Sequence, residues 1–125
     1  MYQFLNVKHE DRFKELCKRD KTHKHDLERR ALFFVISGNE SLYKKVDYIY
    51  DFKENLIKLE VYEEGFLTGG TRNLVNLCFS MYGYGTCDVR NLFNSIDYEN
   101  SVLAIEAMKY RFQILHYPNY YNGGL

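Results

Sequence analysis

The sequence predicts a mostly α-helical fold, a compact bundle of about six helices with one short extended segment near residues 56–62. Two observations predict it. The single proline among the 125 residues is Pro118, so long helices meet no obligatory break before the end of the chain. Apolar residues also recur at spacings of three and four along most of the sequence, which is typical of helices that bury one face.

The first three helices are predicted from caps, glycines and periodicity. Asn6 is expected to cap a helix that runs to about Asp20, and Asp26 a second helix that ends at Gly38. The apolar positions of residues 41–52 again repeat at helical spacing and predict a third helix. This half of the chain is therefore expected to be helical up to the extended segment.

The extended segment is identified by a change of period. Ile57, Leu59 and Val61 alternate with Lys58 and Glu60, the pattern of a half-buried strand. A two-stranded pairing needs a second segment, and the sequence offers no convincing one. The interpretation is a short extended stretch without a predicted partner.

Helices four and five are predicted from threonine and aspartate caps. Thr68 or Thr71 is expected to cap a fourth helix that ends at Gly83. Thr86 or Asp88 is expected to open a short fifth helix. These caps and Gly83 separate the fourth helix from the fifth.

The sixth helix is expected to begin after Asp97 and to bury one apolar stripe. The members of that predicted buried stripe are Val102, Ile105, Met108, Phe112 and Leu115. A tail rich in tyrosine, asparagine and glycine follows at residues 117–125. The whole chain, residues 1–125, is interpreted as one all-α domain with this tail.

The composition and charge of the chain argue against several classes of protein. Hydrophobic residues make up 46% of the 15.0 kDa chain, enough for a core, which argues against a disordered chain. Seventeen basic against seventeen acidic residues give zero formal charge, which argues against a nucleic-acid partner. No apolar run approaches the length of a membrane span, and three cysteines without regular spacing favour a reducing cytoplasm.

A glycine-containing loop before the fourth helix is the first candidate site. Backbone N–H groups at such a place can bind an anion, with hydroxyl and guanidinium groups nearby as further donors. The candidate anion-binding or ligand-binding residues are Thr68, Gly69, Gly70, Thr71 and Arg72. The alternative interpretation is a tight turn with a helix cap.

His9 and Glu10 are the second candidate, a pair of acid–base residues at the start of the first helix. They keep open the hypothesis of a small hydrolase-type enzyme, although the simpler interpretation is a solvated helix start. No His or Cys spacing typical of a metal site occurs. The prediction leans away from an enzyme, with no catalytic residue, metal or cofactor assigned.

A surplus of aromatic rings is the third candidate feature. Twelve tyrosines and nine phenylalanines exceed what a 15.0 kDa core is expected to hide, and tyrosine is enriched at interfaces. The alternative is that tyrosine merely tolerates partial exposure. The predicted interface residues are Tyr82, Tyr84, Tyr117, Tyr120 and Tyr121, with Arg19, Lys24 and Arg29 expected to steer association.

The order of several sequence elements resembles a known family. The elements are Phe4, His9–Phe13, Arg30–Phe33, Ser37–Asn39, Tyr50–Phe52, Glu64–Arg72 and Leu74–Tyr82. They resemble, over about residues 4–113, a domain-of-unknown-function family of small uncharacterised proteins from Firmicute genomes and their prophages. The resemblance implies a bacterial or phage cytoplasm and no established activity.

Three functional hypotheses follow from these features. The favoured one is a small phage-type or mobile-element-type module that binds a protein, a host defence component or a second copy of itself, and inhibits a host protein by occlusion. The first alternative is a protein that sequesters a phosphorylated small ligand or nucleotide at Gly69–Arg72. The second alternative is the enzyme built on His9 and Glu10.

Overall fold

The computed structural model of the protein describes residues 3–114. These residues form seven α-helices, a 3-10 helix and a two-stranded antiparallel sheet, which confirms the mostly helical prediction. In chain order they are α1 (Val7–Asp20), α2 (Leu27–Gly38), α3 (Glu40–Lys44), α4 (Val46–Ile49), β1 (Tyr50–Asp51), β2 (Leu56–Ile57), the 3-10 helix (Leu59–Glu63), α5 (Gly69–Tyr82), α6 (Val89–Ser95) and α7 (Tyr98–Phe112).

Helix α2 is the centre of the core. Its residues 31–36 are completely buried, and it packs against α1, α5 and α7. Helix α7 lies close to α2 at Gly38, where an added Cβ would lie only 2.4 Å from Cδ1 of Leu103. A larger residue than glycine would therefore separate these two helices.

The predicted helix starts are confirmed by side-chain caps. The side chain of Asn6 accepts a bond from the backbone N–H of His9, and Asp26, Asp88 and Asp97 cap α2, α6 and α7 in the same way. The predicted end of α5 is also confirmed, because Gly83 follows it with a φ of 118°. Each of these groups satisfies backbone atoms that a helix end leaves unpaired.

The prediction of one helix over residues 41–52 is wrong. The segment forms α3 and α4 and then leaves the helix at Tyr50, which pairs with Ile57 across the β1–β2 hairpin. The hairpin turns through Asn55, which has a φ of 58°, a conformation that asparagine tolerates well. The extended segment therefore has a partner, although its strand ends at Ile57 and a 3-10 helix follows.

The predicted buried stripe of α7 is also wrong. The helix instead buries a face that contains Leu103, Ala104, Ala107 and Tyr110. Two small alanines let α7 lie close to α2, whereas the predicted stripe carries larger side chains. Of the predicted members, Leu115 lies outside the described residues, Val102 and Met108 are half-buried, and Ile105 and Phe112 are exposed.

Most aromatic rings of the described residues pack in or against the core. Phe33 contacts Tyr50 with ring centroids 5.0 Å apart, and Phe13 and Phe34 both contact Tyr110. The exposed rings among residues 3–114 are those of Tyr48, Tyr84, Tyr98 and Phe112. Within the same part of the chain, every helix is too short or too polar to cross a membrane.

Candidate functional site

The outer face of α7 is the side of this helix that points away from α2. Its members are Tyr98, Val102, Ile105, Met108 and Phe112, referred to below as the α7 outer face. Tyr98, Ile105 and Phe112 are 85%, 46% and 56% exposed. Val102 and Met108 are half-buried, and Met108 also packs against the core. They recur at spacings of three and four, so they form one apolar stripe along the helix.

The opposite face of α7 is held in place by packing and by polar contacts. The hydroxyl of Tyr110 accepts a bond from Nε of Arg30 at 2.5 Å. The buried carboxylate of Glu106 accepts the backbone N–H of Gln3 at 2.6 Å and pairs with Lys109 at 2.8 Å. The bonds to Arg30 and Gln3 orient α7 against the rest of the fold, so the apolar stripe cannot turn inward without breaking them.

A groove of about 350 Å³ runs beside the α7 outer face. It lies between the segment that precedes α1 and the side of α7 that carries Val102. Its lining residues are Gln3, Phe4, Leu5, Val102, Glu106 and Lys109. The outer face is therefore an apolar stripe flanked by a shallow depression.

The two ends of α7 carry opposite charges. Asp97 caps the N-terminus and Glu99 lies in the first turn, whereas Lys109 and Arg111 lie in the last turn. This arrangement stabilises the helix dipole at both ends. Glu99 and Arg111 do not belong to the α7 outer face, because Glu99 lines a pocket with α1 and the end of α2 and Arg111 donates to the carbonyl of Met81 at 2.8 Å.

The tyrosines predicted to form the interface are distributed differently. Tyr84 is exposed, whereas Tyr82 is half-buried against the core, with the guanidinium of Arg29 5.8 Å from its ring centre. Tyr117, Tyr120 and Tyr121 lie outside the described residues, so their role stays a prediction. Sequence reasoning missed Tyr98 and Phe112 as exposed rings because α7 was expected to bury the stripe to which Phe112 belongs.

The predicted basic residues occupy three different environments. Arg19 pairs with Asp47 at 2.5 Å and lies over the ring of Phe52, with 3.9 Å between guanidinium carbon and ring centre. Lys24 is exposed in the loop between α1 and α2. Arg29 is only 28% exposed at its side chain and belongs to a polar network. Steering of a partner by these residues stays a prediction.

That polar network joins the end of α1, the start of α2 and the hairpin. Arg29 donates to Asp26 at 2.7 Å, to the hydroxyl of Tyr50 at 2.9 Å and to the backbone carbonyl of Asn55 at 2.8 Å. The buried carboxylate of Asp20 accepts bonds from Tyr50 and Asn55 at 2.7 and 2.6 Å. Burial, reinforced by the bond to Asp20, raises the pKa of Tyr50.

A cleft of about 360 Å³ opens onto the same network. Its lining includes Asp20, Asp26, Arg29 and Asn55. These side chains already bind one another, so the network serves first to hold three elements together.

The glycine loop before α5 is held by hydrogen bonds within the fold, and a pocket of about 220 Å³ lies beside Thr68, Gly70 and Thr71. Thr68 and Thr71 form a capping box with each other, and Arg72 reaches back to donate to the carbonyl of Tyr62 at 3.2 Å. An added Cβ on Gly70 would meet the carbonyl oxygen of Ser95, whereas one on Gly69 would meet no atom within 4 Å. Arg72 and the two threonines thus have partners within the fold, and anion binding at this loop stays a prediction.

His9 and Glu10 do not form a shared site. His9 is buried, its Nδ1 accepts the backbone N–H of Leu5 at 3.0 Å, and its Nε2–H donates to the carbonyl of Phe34 at 2.8 Å. Burial lowers the pKa of His9, although the bond to Phe34 opposes this. Glu10 instead pairs with Lys14 at 3.0 Å on the surface of α1.

The described part of the chain contains no candidate metal site. Across residues 3–114, no group of three or more His, Cys, Asp or Glu side chains is arranged to hold a metal ion. The α7 outer face is therefore the surface feature that most needs a functional explanation.

The sequence of the chain matches one known protein family. The sequence matches DUF6075, a family of unknown function, over residues 1–122. The chain belongs to this family. No curated protein and no solved structure matches the chain. Because DUF6075 is a family of unknown function, membership assigns no activity to the chain.

Proposed function

We propose that the protein is a protein-binding module and that the α7 outer face receives an apolar helix of its partner. One observation carries the proposal: α7 is apolar on two faces, and the rest of residues 3–114 covers one of them. A helix that is apolar all round is usually buried on all sides. A partner helix would bury the second face.

The chemistry of the stripe suits this role. Two of its three exposed members, Tyr98 and Phe112, are aromatic, and large rigid rings contribute much of the binding energy at protein interfaces. Ile105 lies midway between them and offers an aliphatic contact. An amphipathic helix laid along α7 would bury all three side chains together.

The proposal also includes the origin, location and action of the protein. It comprises a Firmicute or prophage origin, a cytoplasmic location and inhibition of a host protein by occlusion. The resemblance of the sequence elements to small proteins of such genomes supports these parts. Occlusion requires a binding surface and no chemical step, and the α7 outer face meets that requirement.

Site-specific photo-crosslinking tests the proposal in cells that produce the full chain. A benzophenone amino acid replaces Ile105 in one variant and Glu60, an exposed residue of the 3-10 helix, in a control variant. The expected result is a covalent adduct with a second polypeptide at position 105 and none at position 60. The partner is identified by mass spectrometry, and the adduct must form again from purified components.

The specificity of the adduct decides the outcome. Adding Phe112→Asp to the position-105 variant should remove the adduct, because it places a charge in the same stripe. Absence of an intermolecular adduct at position 105, or a crosslink only to residues 115–125 of the same chain, would contradict the proposal.

A further inference from the structure

We infer that the helix received by the α7 outer face is α7 of a second copy of this chain, packed antiparallel about a two-fold axis near Ile105. The inference rests on the proposed function and names its partner. It follows from the spacing of the α7 outer face, the helix dipole and the surroundings of the face.

The spacing of the apolar residues along α7 is symmetric about Ile105. From Tyr98 the next members follow after four, three, three and four residues, at Val102, Ile105, Met108 and Phe112. A two-fold axis at the middle residue therefore pairs every member with another member. Tyr98 meets the partner's Phe112, Val102 meets the partner's Met108, and Ile105 meets its own equivalent, as an isologous interface requires.

The helix dipoles favour the antiparallel direction. Antiparallel packing places the N-terminal end of each helix, capped by Asp97, beside the C-terminal end of its partner, where Lys109 lies. A parallel arrangement would place the two positive helix ends side by side. Glu99 and Arg111 contact other parts of their own chain, so they add no charge to this contact.

Two polar residues inside the stripe are compatible with this pairing. Ser101 and Lys109 lie on the same side of α7, and the two-fold axis pairs each with the other. Lys109 is 37% exposed and already bound to Glu106 at 2.8 Å, so its charge keeps a partner when the face is covered.

The groove beside α7 receives a flexible side chain in this arrangement. Val102 lines the groove of about 350 Å³, and the partner's Met108 faces Val102. Methionine fills irregular apolar gaps well because it is unbranched and polarizable. The depression would then be part of the interface.

The length of the α7 outer face determines how tightly the dimer is expected to associate. Fourteen helical steps separate Tyr98 from Phe112, a length of about 21 Å. One helix face of this length places the dimer in the class of small, transient interfaces rather than obligate ones. The dimer should therefore be in equilibrium with monomer at concentrations of about 10 to 500 μM, the range to be measured.

Sedimentation velocity of the full chain tests self-association. The wild type should shift from monomer to dimer across that range, and Ile105→Asp should weaken the association by at least about tenfold, the loss typical of a central interface residue. Val89→Asp is the matched control, because Val89 is 70% exposed and belongs to α6 rather than α7. It should behave as the wild type.

Disulfide trapping tests the direction of packing in a Cys87→Ser background. Ile105→Cys alone should form a covalent dimer, since the axis places the residue opposite itself. Tyr98→Cys alone should not, but a mixture of Tyr98→Cys and Phe112→Cys chains should. Positions 98, 105 and 112 are exposed, so these variants are expected to fold. Circular dichroism of each variant checks the fold.

The outcomes separate the inference from the proposed function. A monomer at all concentrations, or efficient self-crosslinking of Tyr98→Cys, would overturn the antiparallel dimer. If the chain is monomeric while the benzophenone at position 105 captures a different protein, the inference fails and the proposed function stands. If neither experiment gives an intermolecular product, both fail.

Discussion

Gly70 and Ser95 lie so close together that a Cβ added to the glycine would sit 2.8 Å from the serine carbonyl oxygen. This backbone contact joins the first turn of α5 to the end of α6. The neighbouring Gly69 has open space at the same place, with no atom within 4 Å of an added Cβ. The two glycines therefore have different roles despite their adjacent positions.

This difference predicts opposite effects of alanine. Gly70→Ala should lower the free energy of unfolding by about 1–3 kcal/mol, because neither backbone can yield without strain. Gly69→Ala should leave it unchanged or raise it by up to about 1 kcal/mol, since alanine restricts the unfolded chain. Urea denaturation of both variants measures the difference. Equal stabilities would show that packing does not require Gly70.

The hydroxyl of Tyr50 is predicted to stabilise the polar network. It donates to Asp20 and accepts from Arg29, and the ring is completely buried. Tyr50→Phe should lower the free energy of unfolding by about 1–3 kcal/mol, because the buried carboxylate of Asp20 and the partly buried guanidinium of Arg29 each lose a partner. Tyr84→Phe, at an exposed ring, should change it by less than about 0.5 kcal/mol. Indistinguishable variants would contradict this account.

Buried His9 predicts that stability falls as the solution is acidified. Its pKa is lower in the folded state than the ordinary 6.5, so the unfolded chain binds the extra proton first. The contribution of neutral His9 is complete above about pH 6.5 and is lost as pH falls toward the folded pKa, with a slope of at most about 1.4 kcal/mol per pH unit. Protonated Nδ1 could no longer accept the N–H of Leu5.

The measurement is urea denaturation between about pH 5 and pH 8, with His9→Gln as the non-titrating control. The bond from Arg12 lowers the pKa of Glu40, and the N–H of Glu54 lowers that of Asp51, so these carboxyls titrate below this range. The wild type should lose more stability than His9→Gln on acidification. Parallel curves for the two proteins would be evidence against the buried neutral ring.

The three cysteines are predicted to react at very different rates. Cys17 and Cys78 are buried, and burial raises the pKa of Cys17 to about 11. Cys87 is half-buried, and burial raises its pKa as well. A thiol reagent at about pH 8 should modify Cys87 first and the other two only after unfolding. Cys87→Ser should abolish the native-state reaction, and rapid modification of Cys78 would contradict the packing.

Local chemistry made several parts of the fold predictable. Asn6, Asp26, Asp88 and Asp97 each accept a backbone N–H within three residues, so their effect depends little on the rest of the molecule. The β1–β2 hairpin was less accessible to prediction. Tyr50 fits the helical spacing of the preceding residues, and its pairing with Ile57 depends on contacts across the fold.

The sequence by itself determined where most helices begin and end, because caps and glycines act on neighbouring backbone groups. Only the tertiary structure decided which side of α7 points inward. Both sides are apolar, so periodicity cannot choose between them. Close packing against α2 favours the side with Ala104 and Ala107, and the stripe from Tyr98 to Phe112 is left outward, where the candidate site lies.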